Sequence, residues 1–518
     1  MATTTRRSAI VMTALLPLGT PCAHAYQFND SNRWARTATV VGGGLSQGDP
    51  TTVTWSLAPD GTAVPGLDPG NGPSTLVAFL DALYPGGTGG DLRARPWFYL
   101  FEQSFQRWEA VSGLTFVYED DDDGVSFSGI HLRRGILDVR GDIRIGARYL
   151  DGQDGQNTIA FAYGPDYGEL VLDAGNTDLF GNTFNQARAA RNVITHELGH
   201  ALGLNHVQST DANFLMEPGL NVGFDGPQLD DILAVQRGYG DRYEKTNNNA
   251  GNDTPALATP LGVLIDGVTT SIGTDADDAV VAGADVDFVS IDDDRDVDFF
   301  SFTIDAPAEI RVTLTPRGPT YNSGPEGGTQ SPVNTAALSD LSLALVDTDG
   351  TSLLALRDEA GRGAIESIAG VTADQPGTYF VRVTGDDDAP QLYQLDLLVT
   401  AITPIPGDLD NDQDVDPNDL FIVLDHFGDA ATPGSLIVGD TTGDGAVGVD
   451  DLDLLLANWT GPSHASSTVP EPTGAAAAAL GLIALRRRRG GLFVQRRLAD
   501  RRSPRSSSTR PNQCSGVS

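Results

Sequence analysis

Between Trp97 and Val111 the apolar positions fall three and four residues apart. Phe98, Phe101, Phe105 and Trp108 line up on one side, so the spacing predicts a helix with a buried aromatic stripe. A second helical stretch is expected over Ala189–Leu202. Around these two, Thr52–Leu57, Leu114–Glu119, Asp142–Tyr149 and Glu169–Leu172 carry the short apolar or alternating runs of strands. Residues 45–242 therefore read as one segment of mixed helix and strand. Asn247-Asn248-Asn249-Ala250-Gly251-Asn252 follows, rich in turn formers and without apolar periodicity, which marks 243–254 as a linker. The pattern then changes to strands alone: Asp298–Ile304, Glu309–Leu314, Leu341–Val346, Gly377–Thr384 and Gln391–Val399 alternate or run apolar between turns across residues 255–400. Residues 406–460 hold a duplicated unit, an Asp-rich loop followed by an apolar helix at Leu420–Phe427 and again at Leu452–Trp459.

The two ends follow neither pattern. Arg6 and Arg7, the apolar run Ala9–Leu18 and the small-residue site Ala23-His24-Ala25 come in the order of a secretory signal peptide over residues 1–25, with cleavage expected before Tyr26. At the other end Val469-Pro470-Glu471-Pro472 precedes the apolar run Gly474–Leu485 and then Arg486–Arg489. That run has 12 residues, short of the roughly 20 that span a bilayer. A basic, Ser-rich tail, 490–518, is expected to be disordered.

Length and charge narrow the classes. The 518 residues suffice for about three domains. The formal net charge is -37; setting aside residues 1–25 and 469–518 leaves 21 basic against 68 acidic residues. Such acidity argues against a protein that coats nucleic acid or anionic lipid, and it supplies carboxylates for calcium. Both cysteines, Cys22 and Cys514, lie in the terminal segments. The folded body therefore has no disulfide, no thiolate zinc site and no cysteine nucleophile.

Candidate chemistry concentrates in residues 191–206. His196-Glu197-x-x-His200 sets two imidazoles four residues apart on one helical face, aimed at a single ion. Glu197 can reach a water at that ion without occupying the metal. Gly203 lets the chain leave the helix through a positive-φ turn that a side chain resists, and His206 returns as the third ligand. Three neutral nitrogens leave zinc's fourth position open, as in catalytic rather than structural sites. Three of the chain's seven His fall within these eleven residues, which sets the cluster apart from a lone core histidine.

This is the extended HExxHxxGxxH motif of the metzincins, and its flanks resemble the matrixins most closely. Leu215-Met216-Glu217-Pro218 is similar to the family's methionine turn, and the other methionines, Met1 and Met12, lie in the signal segment. Thr52–Leu57, Phe105–Trp108, Leu114–Phe116 and Leu229-Asp230-Asp231-Ile232 through Tyr239-Gly240 extend the likeness over most of residues 50–242. The resemblance implies an α+β catalytic domain, a twisted mixed sheet plus the active-site helix. It also implies zinc-dependent peptide hydrolysis, with one zinc on His196, His200 and His206, Glu197 as general base, and Met216 and Gly203 as structural supports. Two departures and one further likeness stand out. Many matrixins hold a second zinc through three His and an Asp, but Ile159–Ala162 and Leu170–Asp173 offer Phe and Val in place of His, and only His131 remains within residues 45–242. Asp151–Gly155 with Asp173 resembles the neighbouring calcium loop, which makes Asp154 and Asp173 calcium candidates against a plain turn. Glu217 stands where an aromatic residue is common, altering the wall of the specificity pocket.

Residues 255–400 resemble the bacterial pre-peptidase C-terminal domain, a β-sandwich, on Ala258–Leu261, Asp296–Phe302 and Gly377–Val383; Asn322–Pro332 reads as a loop insertion. The acids Asp292–Asp294 and Asp386–Asp388 are expected as solvated turns. In the duplicated unit, Asp408, Asp410, Asp412, Asp414, Asp416 and Asp419 occupy the alternating positions of a calcium loop. Asp440, Thr442, Asp444, the Ala446 carbonyl and Asp451 do so in the second copy. This pattern resembles dockerin type I repeats, a small α-helical module. The resemblance implies two Ca²⁺ ions and a cohesin-like partner. Residues 469–489 resemble the PEP-CTERM sorting signal, which implies an exosortase-type processing enzyme and membrane contact only through that transient segment. The expectation is thus a secreted or envelope zinc metalloendopeptidase acting on protein or peptide substrates, without a nucleic-acid partner. The rivals are a cell-surface adhesion or scaffold protein with a vestigial protease domain, and a carbohydrate-degrading enzyme. The latter lacks a defensible carboxylate pair.

Overall fold

Trp55 lies at the middle of β1 (Thr51–Leu57), stacked on Phe105 and Phe98 with ring centroids 4.3 and 5.6 Å away, and this contact seats the helix carrying those rings on the sheet. These contacts come from a computed structural model, which describes residues 26–461 except 29–31, 88, 128–134, 153–157, 278–279, 403–404, 411–413 and 431–437. Residues 1–25, 469–489 and 490–518, together with His131, Asp154 and Asp412, lie outside the described residues. The chain forms two compact units, Met1–Ile402 and Thr403–Ser518.

In the first unit a small hairpin, β2 (Ala63–Val64) and β3 (Gly72–Pro73), leads into α1 (Leu76–Leu83) and α2 (Tyr99–Ala110), followed by β4 (Leu114–Tyr118), β5 (Ile143–Arg148), β6 (Ala160–Ala162) and β7 (Glu169–Asp173). The sheet runs β4-β1-β5-β7-β6, parallel except for the antiparallel edge strand β6. Parallel strands covered on both faces read as apolar runs, and β1, β5 and β7 are buried almost throughout. After the short α3 (Thr177–Phe180) comes α4 (Phe184–Ala201). Its residues Asn185–Ala187 are left-handed, so the regular helix begins only beyond them. Trp108 Nε1 donates to Thr195 O at 2.9 Å and locks α4 against α2. Beyond it lie β8 (Val207–Gln208) and α5 (Leu229–Tyr239), in which all eleven residues are buried.

The stretch expected as a linker is exposed over Asn247–Ala250 but anchored on either side of it, by buried Glu244 and Asn252. It includes the short α6 (Thr246–Asn249), and Asn252 is fully buried, donating to Asp298 Oδ1 at 2.9 Å. Then follow β9 (Thr259–Val263), β10 (Thr270–Ile272), β11 (Val289–Ile291), β12 (Val297–Ile304), β13 (Ala308–Pro316), β14 (Thr320–Pro325), β15 (Ser331–Asn334), β16 (Leu341–Val346), β17 (Leu353–Arg357), β18 (Glu366–Ala373), β19 (Gly377–Gly385) and β20 (Gln391–Ala401). Two five-stranded sheets result, β10-β20-β13-β18 with β11 also on β20, and β17-β16-β19-β12-β9. Ile310 and Leu395 of one sheet share a core with Phe300, Leu343 and Val381 of the other, which makes a sandwich. Val281, Phe288, Tyr321, Val333 and Leu392 belong instead to the core of the preceding half. The two halves therefore bury a common interior. Asp292 and Asp293, expected as solvated, are buried at that junction, where Arg237 Nη1 donates to Asp292 O at 2.7 Å.

The second unit contains α7 (Pro417–Asp425) and α8 (Val449–Ala457), which pack around Val415, Val423, Val447 and Leu455. Among the described residues no helix is long and apolar enough to cross a membrane.

Candidate metal centre

His196 and His200 project from α4, and the chain turns through Gly203 at φ 110° so that His206 faces them. The Nε2 atoms of His196 and His206 lie 3.2 Å apart, those of His200 and His206 3.1 Å. Each ring is held through Nδ1: His196 on Leu215 O at 2.6 Å, His200 on Leu204 O at 2.9 Å, His206 on Glu326 Oε2 at 2.8 Å. With Nδ1 donating to an acceptor, each Nε2 is left with a lone pair. Three lone pairs pointed at one another repel unless a cation lies among them. Zinc–nitrogen bonds of about 2.0–2.1 Å in a tetrahedron would place such atoms about 3.3 Å apart. The donor set therefore fits zinc.

Burial sets the charge states here. It pulls His196 down to about 3 and His200 to about 4, keeping both imidazoles neutral, the form that binds metal. It pushes the Glu197 carboxyl up to about 8. Glu197 Oε2 is buried without a hydrogen-bond partner, a state that a metal or water beside it would relieve. Beneath the ligands, a Cβ on Gly199 would stand 2.4 Å from Met216 Sδ, so only glycine lets the methionine pack against α4. Asp231, at the start of α5, accepts from Leu215 N at 2.7 Å and Met216 N at 3.1 Å and fixes that turn.

A cavity of about 190 Å³ opens beside Glu197 and His206, walled by Val193, Leu215, Leu220 and Phe224 with Glu217 at its side. Glu217 Oε1 accepts from Ser209 N at 3.2 Å. Thr158, Ile159 and Ala160, at the edge of the sheet, line the same cavity. In the stretches where the sequence offers Phe and Val, Phe161 pairs with Val171 beside an apolar cluster that includes Val64 and Phe127.

The remaining candidates fall in other places. Asp173 is fully buried and accepts from Leu150 N, Gly152 N, Gly175 N and Asn176 Nδ2, all at 2.8 Å. These bonds make it the organiser of two turns. In the second unit, ligand oxygens of Asp408, Asp410 and Asp419 lie within 4.8 Å of one another, as do those of Asp414, Asp416 and Asp419. Asp440 accepts from Gly443, Asp444 and Gly445 N–H groups, and Asp451 from Thr442 and Gly448. Thr442 Oγ1 donates to Asp451 Oδ1, and Asp444 accepts from Ala446 N. Sequence reasoning missed Glu326 and the bracing by Asp231. The first left no cue beyond the insertion around it, and the second lay inside a stretch whose helix had no visible stripe.

Residues 89–240 match the family profile described as Matrixin, and residues 296–385 that of the bacterial pre-peptidase C-terminal domain. The chain thus carries a matrixin domain joined to a β-rich pre-peptidase C-terminal domain. Among characterised proteins, it is similar to Metalloendoproteinase 1-MMP of Arabidopsis thaliana, 34% identical over 148 residues, covering 27% of this chain and 37% of that protein. It is also similar to the interstitial collagenase of Oryctolagus cuniculus, 35% identical over 179 residues, covering 33% and 34%. The likeness spans about a third of the length of these relatives. The crystal structure of the pre-peptidase C-terminal domain of a collagenase from Bacillus anthracis aligns with 28% of this chain and 94% of that one, at 16% identity and a TM-score of 0.15, too low to carry an argument.

Proposed function

We propose that the protein is a secreted zinc metalloendopeptidase. The observation that carries this reading is the convergence of three Nε2 lone pairs next to a buried, unpartnered Glu197 oxygen at the mouth of a cavity. Zinc bound there supplies Lewis acidity, which acidifies water and polarises a carbonyl. The chain's own residues do the rest. Burial alone raises the Glu197 carboxyl to about 8, but a cation beside it favours the carboxylate, which takes the proton of the attacking water and delivers it to the departing amine nitrogen. The outer edge of β6 offers backbone groups to an extended peptide, and the apolar walls beyond receive one of its side chains. The names of the relatives agree with peptide-bond hydrolysis, and intact ligands with an intact Glu197 disfavour the vestigial-scaffold reading. Secretion is inferred from residues 1–25, and envelope sorting by an exosortase-type enzyme from residues 469–489. The second unit is proposed to hold two calcium ions and to dock a cohesin-like partner. Its opposed carboxylates support calcium, and the partner is inferred from the repeat pattern alone.

Glu197→Gln tests the mechanism. The variant should keep one zinc per chain by elemental analysis yet lose at least a thousandfold of casein hydrolysis, and a chelator should abolish the wild-type clearing zone. Cleavage by this variant at the wild-type rate would sink the reading.

A further inference from the structure

The three imidazoles are not oriented alike. His196 and His200 donate to carbonyl oxygens within the matrixin segment, but His206 donates to a carboxylate, Glu326 Oε2, 120 residues downstream. Glu326 lies in the turn between β14 and β15, inside the half of the first unit that builds the sandwich. This hairpin leaves its own sheets and pairs β14 antiparallel with β8, Gly324 opposite Gln208 and Pro325 opposite Val207. Three further residues fix it. Gly327 N donates to Gln208 Oε1 at 2.9 Å, and Asn322 gives N and Nδ2 to the Asp211 carboxylate at 2.8 and 2.7 Å. Tyr321 donates its hydroxyl to Asp230 Oδ1 at 2.8 Å, and its ring meets Phe214 at 5.0 Å. Asp230 precedes Asp231, which holds the turn of Leu215 and Met216. The hairpin thus reaches the centre at a ligand and also braces the floor behind it.

From this arrangement we infer that Glu326 is a positioning residue of the zinc centre, and that the sandwich half thereby sets the metal affinity of the matrixin half. A carboxylate accepting from Nδ1 fixes the ring's tautomer and direction. It also raises the basicity of Nε2 more than a neutral carbonyl does. His206 needs this more than its partners, because it stands beyond the helix on a turn, whereas the other two are held by α4. Pairing of β14 with β8 keeps Glu326 in register with His206, two residues from Gln208. The inference rests on the zinc reading and adds to it a residue outside the matrixin segment.

The test compares full-length wild type, Glu326→Gln and Glu326→Ala, with zinc dissociation constants measured by competition against a chromogenic chelator. Outer partners of metal-bound histidines are worth about 10–100-fold in affinity. Ala should therefore bind zinc about tenfold more weakly or worse, and Gln, which keeps an acceptor without the charge, should fall between. A hairpin acting only as a brace would leave all three alike, since Glu326 is half-exposed and its backbone pairing survives both changes. Equal constants at one zinc per chain overturn the role of Glu326 alone. A wild type that binds no stoichiometric zinc overturns the zinc reading and this inference together. If Ala fails to fold, Gln decides: a loss of about threefold supports the role, and no loss overturns it.

Discussion

Glu244 shows how a single buried acid can be set against its surroundings. It lies where the matrixin segment meets the sandwich, with oxygens of Asp253 and Asp296 within 4.8 Å. Burial, then the charges of Asp296 and Asp298, push its carboxyl far above the usual range. The folded protein therefore holds a proton there that the unfolded chain releases above about pH 4.5. Stability from this group is complete below that pH and declines as pH rises toward the folded value. In metal-free protein, Glu244→Gln should leave the melting temperature unchanged near pH 4.5 and raise it by roughly 2–4 °C at pH 8 per kcal/mol relieved. Thermal unfolding at the two pH values reads this, and a variant less stable at pH 8 would contradict it. The convergence of His196, His200 and His206 was legible at this scale because each spacing states its own geometry. Glu326 was not, since one glutamate in an insertion carries no periodic signal.

Elements differ in how visible they are for a physical reason. The stripe of α2 shows because one side faces the core and the other faces water, so polar residues alternate with Phe101, Phe105 and Trp108. In contrast, α5 is covered on both sides, by the matrixin core and by the chain around Val281 and Phe288. Its Asp231 and Arg237 are buried with their polar groups bonded, and Gln236 is buried with its Nε2 donating to Val111 O at 2.9 Å, which erases the contrast a periodicity needs. The helix α1 hides for a simpler reason, an almost wholly apolar sequence, LVAFLDAL. In the second unit, each loop's last acid closes the loop and serves the helix after it. Asp419 accepts from Leu409 N at 2.6 Å and Asp416 N at 2.8 Å, Asp451 from Thr442 N at 2.9 Å and Gly448 N at 2.7 Å. If the two proposed calcium sites exist, Asp451→Ala should remove one of them in a calorimetric titration of the full chain and leave the other. Two sites persisting at unchanged affinity would refute the assignment of that loop.

At the scale of the whole molecule, the boundary written in the composition is not a mechanical boundary. Residues 243–254 look like a spacer, yet the core of the matrixin half is completed by Val281, Phe288, Tyr321, Val333 and Leu392. Polar contacts cross with them: Gln228 Nε2 donates to Val281 O at 3.2 Å, Gln236 Nε2 to Phe288 O at 3.3 Å, and Arg107 Nη1 to Asp285 O at 2.6 Å. A cut at residue 242 would expose one side of α5, each uncovered large side chain costing about 1.5–3 kcal/mol. Such losses match the whole stability of an ordinary domain, about 5–15 kcal/mol. Residues 26–402 should therefore melt in one cooperative calorimetric transition, with zinc raising its midpoint. Residues 26–242 should aggregate, or melt at least ten degrees lower and hold zinc poorly. Equal midpoints for the two fragments would mean that the halves fold independently and that their shared interior contributes nothing. The one-transition outcome would make loss of the sandwich a way to switch the centre off, because the contacts that stabilise α5 are continuous with those that hold Met216 and His206.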